Sequence, residues 1–234
     1  LEDLARANGL LHEAAHDALS DVRATIALAR LIRDKQPRLF DFCLSLHKKD
    51  KVASEMGLHL DPSARQPFLH VTGMFPAERG CIGLVWPLGT HPTNKNEVLV
   101  WDCSHDPSEL FGLDAETIRM RMFTRSADLP EGVTRLPVKS IHLNKSPMLV
   151  GNLKTLSGAM AERWGIDIER GLAHAAIAAG APDMSMVWEQ VYYRPAPVED
   201  TDVDEDLYGG FVSRDDRRKL ESLRCYGIWA SPAM

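Results

Sequence analysis

The sequence predicts an α+β fold in which helical segments flank a central strand-rich segment. Three observations lead to this prediction. Near the N-terminus, apolar residues recur at steps of three and four, the period of a helix that buries one face. Between residues 68 and 150, short runs of β-branched and aromatic residues alternate with Gly, Pro and Asn turns. From residue 157 to residue 180 the helical period returns.

The N-terminal segment is predicted to form two helices. The first spans residues 1–10 and ends at Asn8-Gly9, a common signal for a helix C-terminus. The second begins after Asp17, a good N-cap residue, and ends before Pro37. Its apolar stripe consists of Leu19, Val22, Ile26, Ala29 and Ile32. No strand-rich segment precedes these helices, so the stripe is expected to expose hydrophobic surface and to favour association.

The central segment is predicted to form a small β-barrel with a helical insertion near residues 114–123. Its predicted strands are residues 68–71, 83–86, 97–101 and 138–142. Trp86 and Trp101 have apolar neighbours, so we expect both in the core rather than at a base-stacking surface. Residues 194–206 are rich in Pro, Asp and Glu, which is typical of an exposed, solvated linker.

Composition limits the function classes. The 234 residues are 44% hydrophobic, enough for one sizeable core or two modest ones. A net charge of −6 argues against general affinity for polyanions, so nucleic-acid binding would need a local basic patch. The four cysteines form no Cys-x-x-Cys pair, which favours reduced thiols and a cytoplasmic protein. Neither a signal peptide nor an apolar stretch of about 20 residues is present, so we expect no membrane association.

One motif carries catalytic chemistry. His16 precedes Asp21 by five residues at the start of the second predicted helix. Five helical steps place two side chains about 140° apart, so they can converge on one metal only if His16 lies in the turn before the helix. Taken alone, such a pair is more often a solvated helix end than a catalytic site.

Several segments, in the same order along the chain, resemble the bacterial exonuclease I family. Those after the His16–Asp21 motif are narrower to this family than that spacing, and they include His70-Val71-Thr72-Gly73-Met74-Phe75 and Leu207-Tyr208-Gly209-Gly210-Phe211. The others are residues 1–4, 7–9, 16–18, 21–22, 24–27, 36–41, 79–80, 87–88, 91–92, 137–139, 142–145 and 202–204. The resemblance covers residues 1 to about 216, and it places the His16–Asp21 pair in the third motif of the DEDDh nuclease superfamily.

The resemblance implies a three-part architecture. Residues 1–35 would be the C-terminal helices of a ribonuclease-H-like exonuclease domain. Residues 37–190 would be an SH3-like β-barrel domain with helical insertions, and residues 191–234 the start of a helical C-terminal domain. The implied activity is 3′ to 5′ hydrolysis of single-stranded DNA to nucleoside 5′-monophosphates, in DNA repair and recombination.

The implied mechanism uses two Mg²⁺ ions, with Asp21 as a metal-binding carboxylate and His16 as the general base. The family's other acidic motif residues would lie upstream. The chain is therefore expected to be a fragment, truncated at both ends and inactive by itself, of an enzyme that is monomeric when intact.

The resemblance also implies binding partners. Single-stranded DNA would contact Lys49, Arg79, Asn96, Lys139, His142, Asn144 and Lys145. The alternative interpretation, for residues 138–145 in particular, is ordinary strand-end lysines and a turn asparagine. The acidic C-terminal tail of the single-stranded-DNA-binding protein would contact Arg38 and Phe42. A non-catalytic module that binds single-stranded DNA or that protein therefore stays open as a second function.

Overall fold

A computed structural model of the chain describes residues 2–10, 18–195 and 212–225. The chain divides into two compact units, Leu1–Tyr193 and Arg194–Met234. The helices of the first unit are α1 Glu2–Ala7, α2 Ala18–Lys35, α3 Pro37–Ser45, α4 Lys49–Glu55, α5 Ala115–Phe123, α6 Gly158–Arg163, α7 Ile168–Ala179 and α8 Ser185–Tyr192. In the second unit the described part contains helix α9, Arg214–Cys225. None of the described helices is long and apolar enough to cross a membrane.

The first unit is built on a five-stranded antiparallel sheet. Its strands are β1 Phe68–Val71, β2 Ile82–Thr90, β3 Glu97–Asp102, β4 Val138–His142 and β5 Met148–Val150. Their order across the sheet is β4-β3-β2-β1-β5. The two edge strands follow each other in the chain, and the sheet curls into a half-barrel. The register of β2 against β3 shifts between Pro87 and Gly89, and such a bulge increases the local bend and twist of a strand.

Each face of the sheet carries its own hydrophobic core, because successive side chains of a strand point to opposite faces. On one face, strand residues such as Leu84, Leu99 and Trp101 pack with residues of α5 to α8, including Trp188. On the other face, Phe68, Val85, Val98, Val100 and Leu149 pack with Leu46, Val52 and Met56 from the α3–α4 region. Trp86 and Trp101 are 4% and 2% exposed, which confirms that both are core residues.

The predicted strands are confirmed, and β1 and β4 have the predicted bounds. Strand β2 continues past Trp86 to Thr90, and the short strand β5 and the helices α3, α4 and α8 are not among the predicted elements. The insertion is helix α5, where the Asp114 carboxylate accepts a hydrogen bond from the Thr117 amide at 2.7 Å.

Two helical predictions need correction in detail. Pro37 follows the end of α2 and also begins α3. Proline is favoured at the start of a helix, because the first helical turn does not use the amide hydrogen that proline lacks. Residues 157–180 form two helices rather than one. Gly165, with φ of +59°, separates α6 from α7, since this left-handed conformation ends a helix.

Helix α2 lies at the N-terminal side of the unit and packs against α3. Its apolar stripe is exposed as expected: Leu19, Val22 and Ile26 are 57%, 55% and 45% exposed. Helix α1 ends before Gly9, whose φ of +66° confirms the predicted stop. Most of the predicted acidic linker, from residue 196 on, lies outside the described residues.

Candidate nucleic-acid interface

Of the two predicted catalytic residues, the structure describes Asp21 and not His16. His16 lies outside the described residues, as does the predicted N-cap Asp17. Asp21 lies in the first turn of α2, where its carbonyl oxygen accepts a hydrogen bond from Thr25 Oγ1 at 2.8 Å. Within residues 2–10, 18–195 and 212–225, no group of three or more His, Cys, Asp or Glu side chains could hold a metal ion. Asp21 alone therefore does not fit a two-metal site.

Five of the predicted DNA-binding residues lie on neighbouring segments: the start of α4, the β2–β3 loop, the end of β4 and the loop that follows it. We call this set, Lys49, Asn96, His142, Asn144 and Lys145, the rim. Lys49 begins helix α4, and its Nζ donates to Asn96 Oδ1 at 2.5 Å. The Asn96 carbonyl oxygen accepts from the Leu143 amide at 2.7 Å, which joins the β2–β3 loop to the loop after β4. The Lys49, Asn144 and Lys145 side chains are exposed, so the rim presents cations and amides to solvent.

A partly buried carboxylate lies behind the rim. Glu97, the first residue of β3, faces His142 across the strand pair, with 3.9 Å between Glu97 Oε1 and His142 Nε2. The Asn94 side-chain amide donates to Glu97 Oε2 at 3.1 Å. Burial would raise the pKa of Glu97, but a hydrogen bond from Ser140, the nearby imidazoles and the Asn94 amide together hold it below its ordinary value. Glu97 is therefore kept in its charged form by its surroundings.

An aromatic pair lies next to Glu97. The backbone amide of His91 donates to the Glu97 carbonyl at 2.9 Å, and the His91 ring lies 4.0 Å from the Tyr192 ring, centroid to centroid. Burial, and then the charge of Glu97, raise the pKa of Tyr192 to about 12. The phenol therefore stays protonated at neutral pH and contributes no charge to the interface.

Arg79 and Lys139, the other two predicted DNA-binding residues, are not part of the rim. On β4, Lys139 and His142 are three positions apart, so their side chains lie on opposite faces of the sheet. Lys139 Nζ contacts the Met74 carbonyl oxygen at 3.3 Å and lies 5.0 Å from the centre of the buried Phe75 ring. Arg79 lies 5.7 Å from the same ring.

The guanidinium of Arg79 is engaged in an internal ion pair. Arg79 Nη1 lies 3.3 Å from Asp102 Oδ2 and 3.3 Å from Ser104 Oγ. The Asp102 side chain is only 6% exposed, and its other oxygen accepts hydrogen bonds from the amide and hydroxyl of Ser104. An arginine paired in this way neutralises a buried carboxylate, which gives Arg79 a structural role whether or not it also contacts DNA.

The predicted partner-binding residues lie four positions apart on α3, which places them on one face of the helix. Arg38 is exposed. Phe42 is half-buried against the core of the α3–α4 side, with Lys51 Nζ 5.6 Å from its ring centre. This face presents a cation and the edge of an apolar ring together.

Sequence reasoning missed Asn94 and Glu97. The available signal was the segment Asn94-Lys95-Asn96-Glu97 directly before a predicted strand, where asparagines often fold back onto their own backbone. Asn94 does so, accepting a hydrogen bond from the Asn96 amide at 3.1 Å. The contact of Glu97 with His142 depends on the β3–β4 register, which sequence spacing does not supply.

Comparison with known proteins identifies the family. The model of the exonuclease I SH3-like domain matches residues 47–194. Exodeoxyribonuclease I of Escherichia coli K12 is 39% identical over 222 residues, covering 94% of this chain and 46% of that protein. The Haemophilus influenzae exodeoxyribonuclease I is 36% identical over 226 residues, covering 96% of this chain and 47% of that protein.

A solved structure points to the same family. The zinc-ion-bound form of an E. coli exonuclease I complex with single-stranded DNA superimposes with a TM-score of 0.78 and 36% identity, covering 100% of this chain and 49% of that one. The chain thus spans about half the length of the relatives that it matches. Because the domain model covers well over half of its residues, this chain belongs to the exonuclease I family.

Proposed function

We propose that this chain is part of an exodeoxyribonuclease I, which hydrolyses single-stranded DNA from its 3′ end to nucleoside 5′-monophosphates in DNA repair and recombination. The observation that carries the proposal is the family match across residues 47–194, together with relatives named for this activity. In this proposal residues 1–35 end the exonuclease domain, residues 37–190 form the SH3-like domain and residues 191–234 begin the helical domain.

The rim is the proposed DNA contact of this chain. Neutralisation of phosphates by Lys and Arg supplies most of the affinity that does not depend on sequence, and amide groups add hydrogen bonds to the backbone. Lys49 and Lys145 are the proposed phosphate-binding cations, with Asn96, His142 and Asn144 beside them. Arg79 and Lys139 are proposed to contribute less, because both have internal partners.

For catalysis, we propose His16 as the general base and Asp21 as one metal-binding carboxylate. Mg²⁺ is the proposed ion, since carboxylate and phosphate oxygens are the ligands that it prefers. The described residues supply no complete metal site, so the further ligands would have to come from elsewhere in the enzyme. The 234-residue chain alone is therefore expected to release no nucleotides.

DNA binding tests the proposal directly. Fluorescence anisotropy of a labelled oligothymidine, measured in EDTA at several salt concentrations, should show saturable binding that weakens as salt rises. Lys145→Ala should lower the slope of log affinity against log salt by about 0.7, the value for one lost phosphate contact on a single strand. Lys154→Ala, outside the rim, is the matched control. An unaltered slope for Lys145→Ala, or no binding by the unchanged chain, would argue against a rim that binds DNA.

A nuclease assay tests the catalytic part. Release of nucleotides from a labelled single strand in Mg²⁺ would be compared between the unchanged chain and His16→Ala. We expect none from either protein. Mg²⁺-dependent release that His16→Ala abolishes would show that this chain completes a metal site by itself, and the proposed need for further ligands would be wrong.

A second candidate function is a non-catalytic module that recruits the single-stranded-DNA-binding protein. It is supported by the face of α3, where Arg38 could pair with an acidic tail and Phe42 could contact its apolar end. Titration of a labelled peptide of that tail should give binding that Arg38→Ala weakens and Lys35→Ala does not. Equal affinity of the peptide for both variants would argue against this role for α3.

Two further features belong to the proposal. A reducing, cytoplasmic location is supported by the free thiols of Cys43, Cys81 and Cys103. We also propose that the intact enzyme is a monomer, in which the exposed stripe of α2 is covered within the same chain.

A further inference from the structure

Glu97 is out of place on a surface proposed to bind a polyanion. Its side chain is 14% exposed and lies beside the rim residue His142, where a negative charge repels phosphate. Its neighbours also keep it ionised, as its lowered pKa indicates. A carboxylate that repels the proposed ligand, yet accepts hydrogen bonds from Asn94 and Ser140, is expected to have a role other than contact with DNA.

The contacts of Glu97 lead to two rim residues. One carboxylate oxygen lies 3.9 Å from His142 Nε2 on the neighbouring strand. The other oxygen accepts from the Asn94 side-chain amide, and the Asn94 side-chain oxygen in turn accepts from the backbone amide of Asn96. One oxygen is therefore hydrogen-bonded to the turn that carries Asn96, and the other lies within ion-pair distance of His142 when that imidazole is protonated.

Asn96, in the same turn, also binds a lysine side chain. The Asn96 side-chain oxygen accepts from Lys49 Nζ at 2.5 Å, and the Asn96 carbonyl accepts from the Leu143 amide. Lysine side chains lose rotamer freedom when they bind a phosphate, so a lysine already held in one arrangement loses less on binding. Glu97 thus lies at the inner end of a chain of hydrogen bonds that ends at an exposed cation.

We propose that Glu97 is a positioning residue for single-stranded DNA: through Asn94 and Asn96 it holds Lys49, and through its carboxylate it holds His142, in the arrangement that contacts the DNA backbone. The inference rests on the proposed function of the rim. It assigns to Glu97 no contact with DNA.

Removal of Glu97 should change the affinity for DNA in the direction opposite to that expected from charge alone. Removing a carboxylate from a DNA-binding surface should tighten binding if that carboxylate only repels phosphate. If Glu97 positions the rim, Glu97→Ala should weaken binding by roughly 3- to 10-fold, the scale of one or two lost hydrogen bonds. Glu97→Gln should be intermediate, because the amide oxygen can still accept from Asn94 while the charge beside His142 is gone.

The experiment is anisotropy of a labelled oligothymidine with the 234-residue chain in EDTA. Glu162→Ala, which removes an exposed carboxylate on α6, controls for net charge. The loss of affinity in the double variant Glu97→Ala with Asn96→Ala should be smaller than the sum of the two single losses, since both changes act on Lys49 through the same turn. Asn94→Ala breaks the relay without removing a charge and serves if thermal unfolding shows that Glu97→Ala does not fold.

The outcomes are distinct. Weaker binding by Glu97→Ala and Asn94→Ala, with Glu162→Ala unchanged or tighter, supports the positioning role. Binding by Glu97→Ala, or by Asn94→Ala in its place, that equals or exceeds that of the unchanged chain overturns it, while the proposed DNA-binding function stands. No binding by the unchanged chain would overturn both.

Discussion

The sheet and helix α2 are both built on clear hydrophobic periodicity, yet they end in opposite environments. The strands alternate with a period of two, and both faces of the sheet are covered by helices, so Val85, Leu99 and Val100 have no exposed surface. Helix α2 has an equally regular stripe, and Leu19 and Val22 are more than half exposed. A periodic pattern thus identifies the element and its apolar face, but the partner decides whether that face contributes stability.

The contrast has an energetic meaning. Burial of apolar surface contributes about 25 cal/mol per Å², and an exposed apolar side chain contributes almost nothing. We therefore expect the stability of the first unit to depend on the sheet and to be nearly independent of the α2 stripe. The following experiments test this difference, from the largest expected effect to the smallest.

Trp101→Ala should have the largest effect, a loss of about 3–5 kcal/mol in the free energy of unfolding, because it empties a fully packed site in the core. Trp101 is 2% exposed, and its indole nitrogen donates to the His105 carbonyl at 2.8 Å. Urea unfolding followed by circular dichroism would measure the loss. Trp101→Phe, which keeps most of the apolar volume, should cost clearly less, and equal losses would contradict a packing origin.

Asp102→Ala should cost about 2–3 kcal/mol, because it leaves the guanidinium of Arg79 without its carboxylate in a largely buried position. The matched change in the N-terminal helices is Arg6→Ala, which breaks an exposed ion pair with Glu2. That change should cost no more than about 0.5 kcal/mol. Chemical denaturation of both variants gives the comparison. Similar losses in the free energy of unfolding would mean that burial does not make the Arg79–Asp102 pair more important for stability than the Arg6–Glu2 pair.

His70 should make stability depend on pH. Its side chain is buried, and burial lowers the pKa below its ordinary value of 6.5, against the opposing effect of the hydrogen bond to the Met148 carbonyl. The unfolded chain then binds the proton more readily, so stability should fall as the pH drops from about 6.5 towards the folded-state pKa. His70→Asn can still donate to Met148 but does not titrate, so its denaturation midpoint should vary less between pH 7 and pH 5 than that of the unchanged chain. An unchanged pH slope would exclude His70 as the cause.

Val22→Ser and Ile26→Ser should have the smallest effect, within about 0.5 kcal/mol each, since both side chains are already exposed. Their effect should appear instead as reduced self-association in size-exclusion chromatography. Val100→Ser, the same kind of change at a fully buried sheet position, is the contrast and should destabilise strongly. A large loss of stability from the α2 variants would show that the stripe is covered in solution.

Much of the fold could be predicted from local sequence. The strands β1 and β4, the insertion helix after Asp114 and the helix stop at Gly9 were each marked by residues within a few positions. The break at Gly165 and the new helix at Pro37 were signalled too, but each signal fits more than one local structure. Helix α8 had no periodic run long enough to stand out.

What the sequence by itself determined is part of the set of elements, namely strands β1 to β4 and helices α1, α2 and α5, together with their apolar faces and the family to which the chain belongs. Only the tertiary structure decided which polar residues meet. Lys49 reaches Asn96 and Arg79 reaches Asp102 because strand register and helix packing bring distant segments together. The same register places Lys139 and His142, three residues apart, on opposite faces of β4 and sets Glu97 beside His142. These contacts depend on pairing between strands, and strand pairing is a property of the folded sheet that no single segment contains.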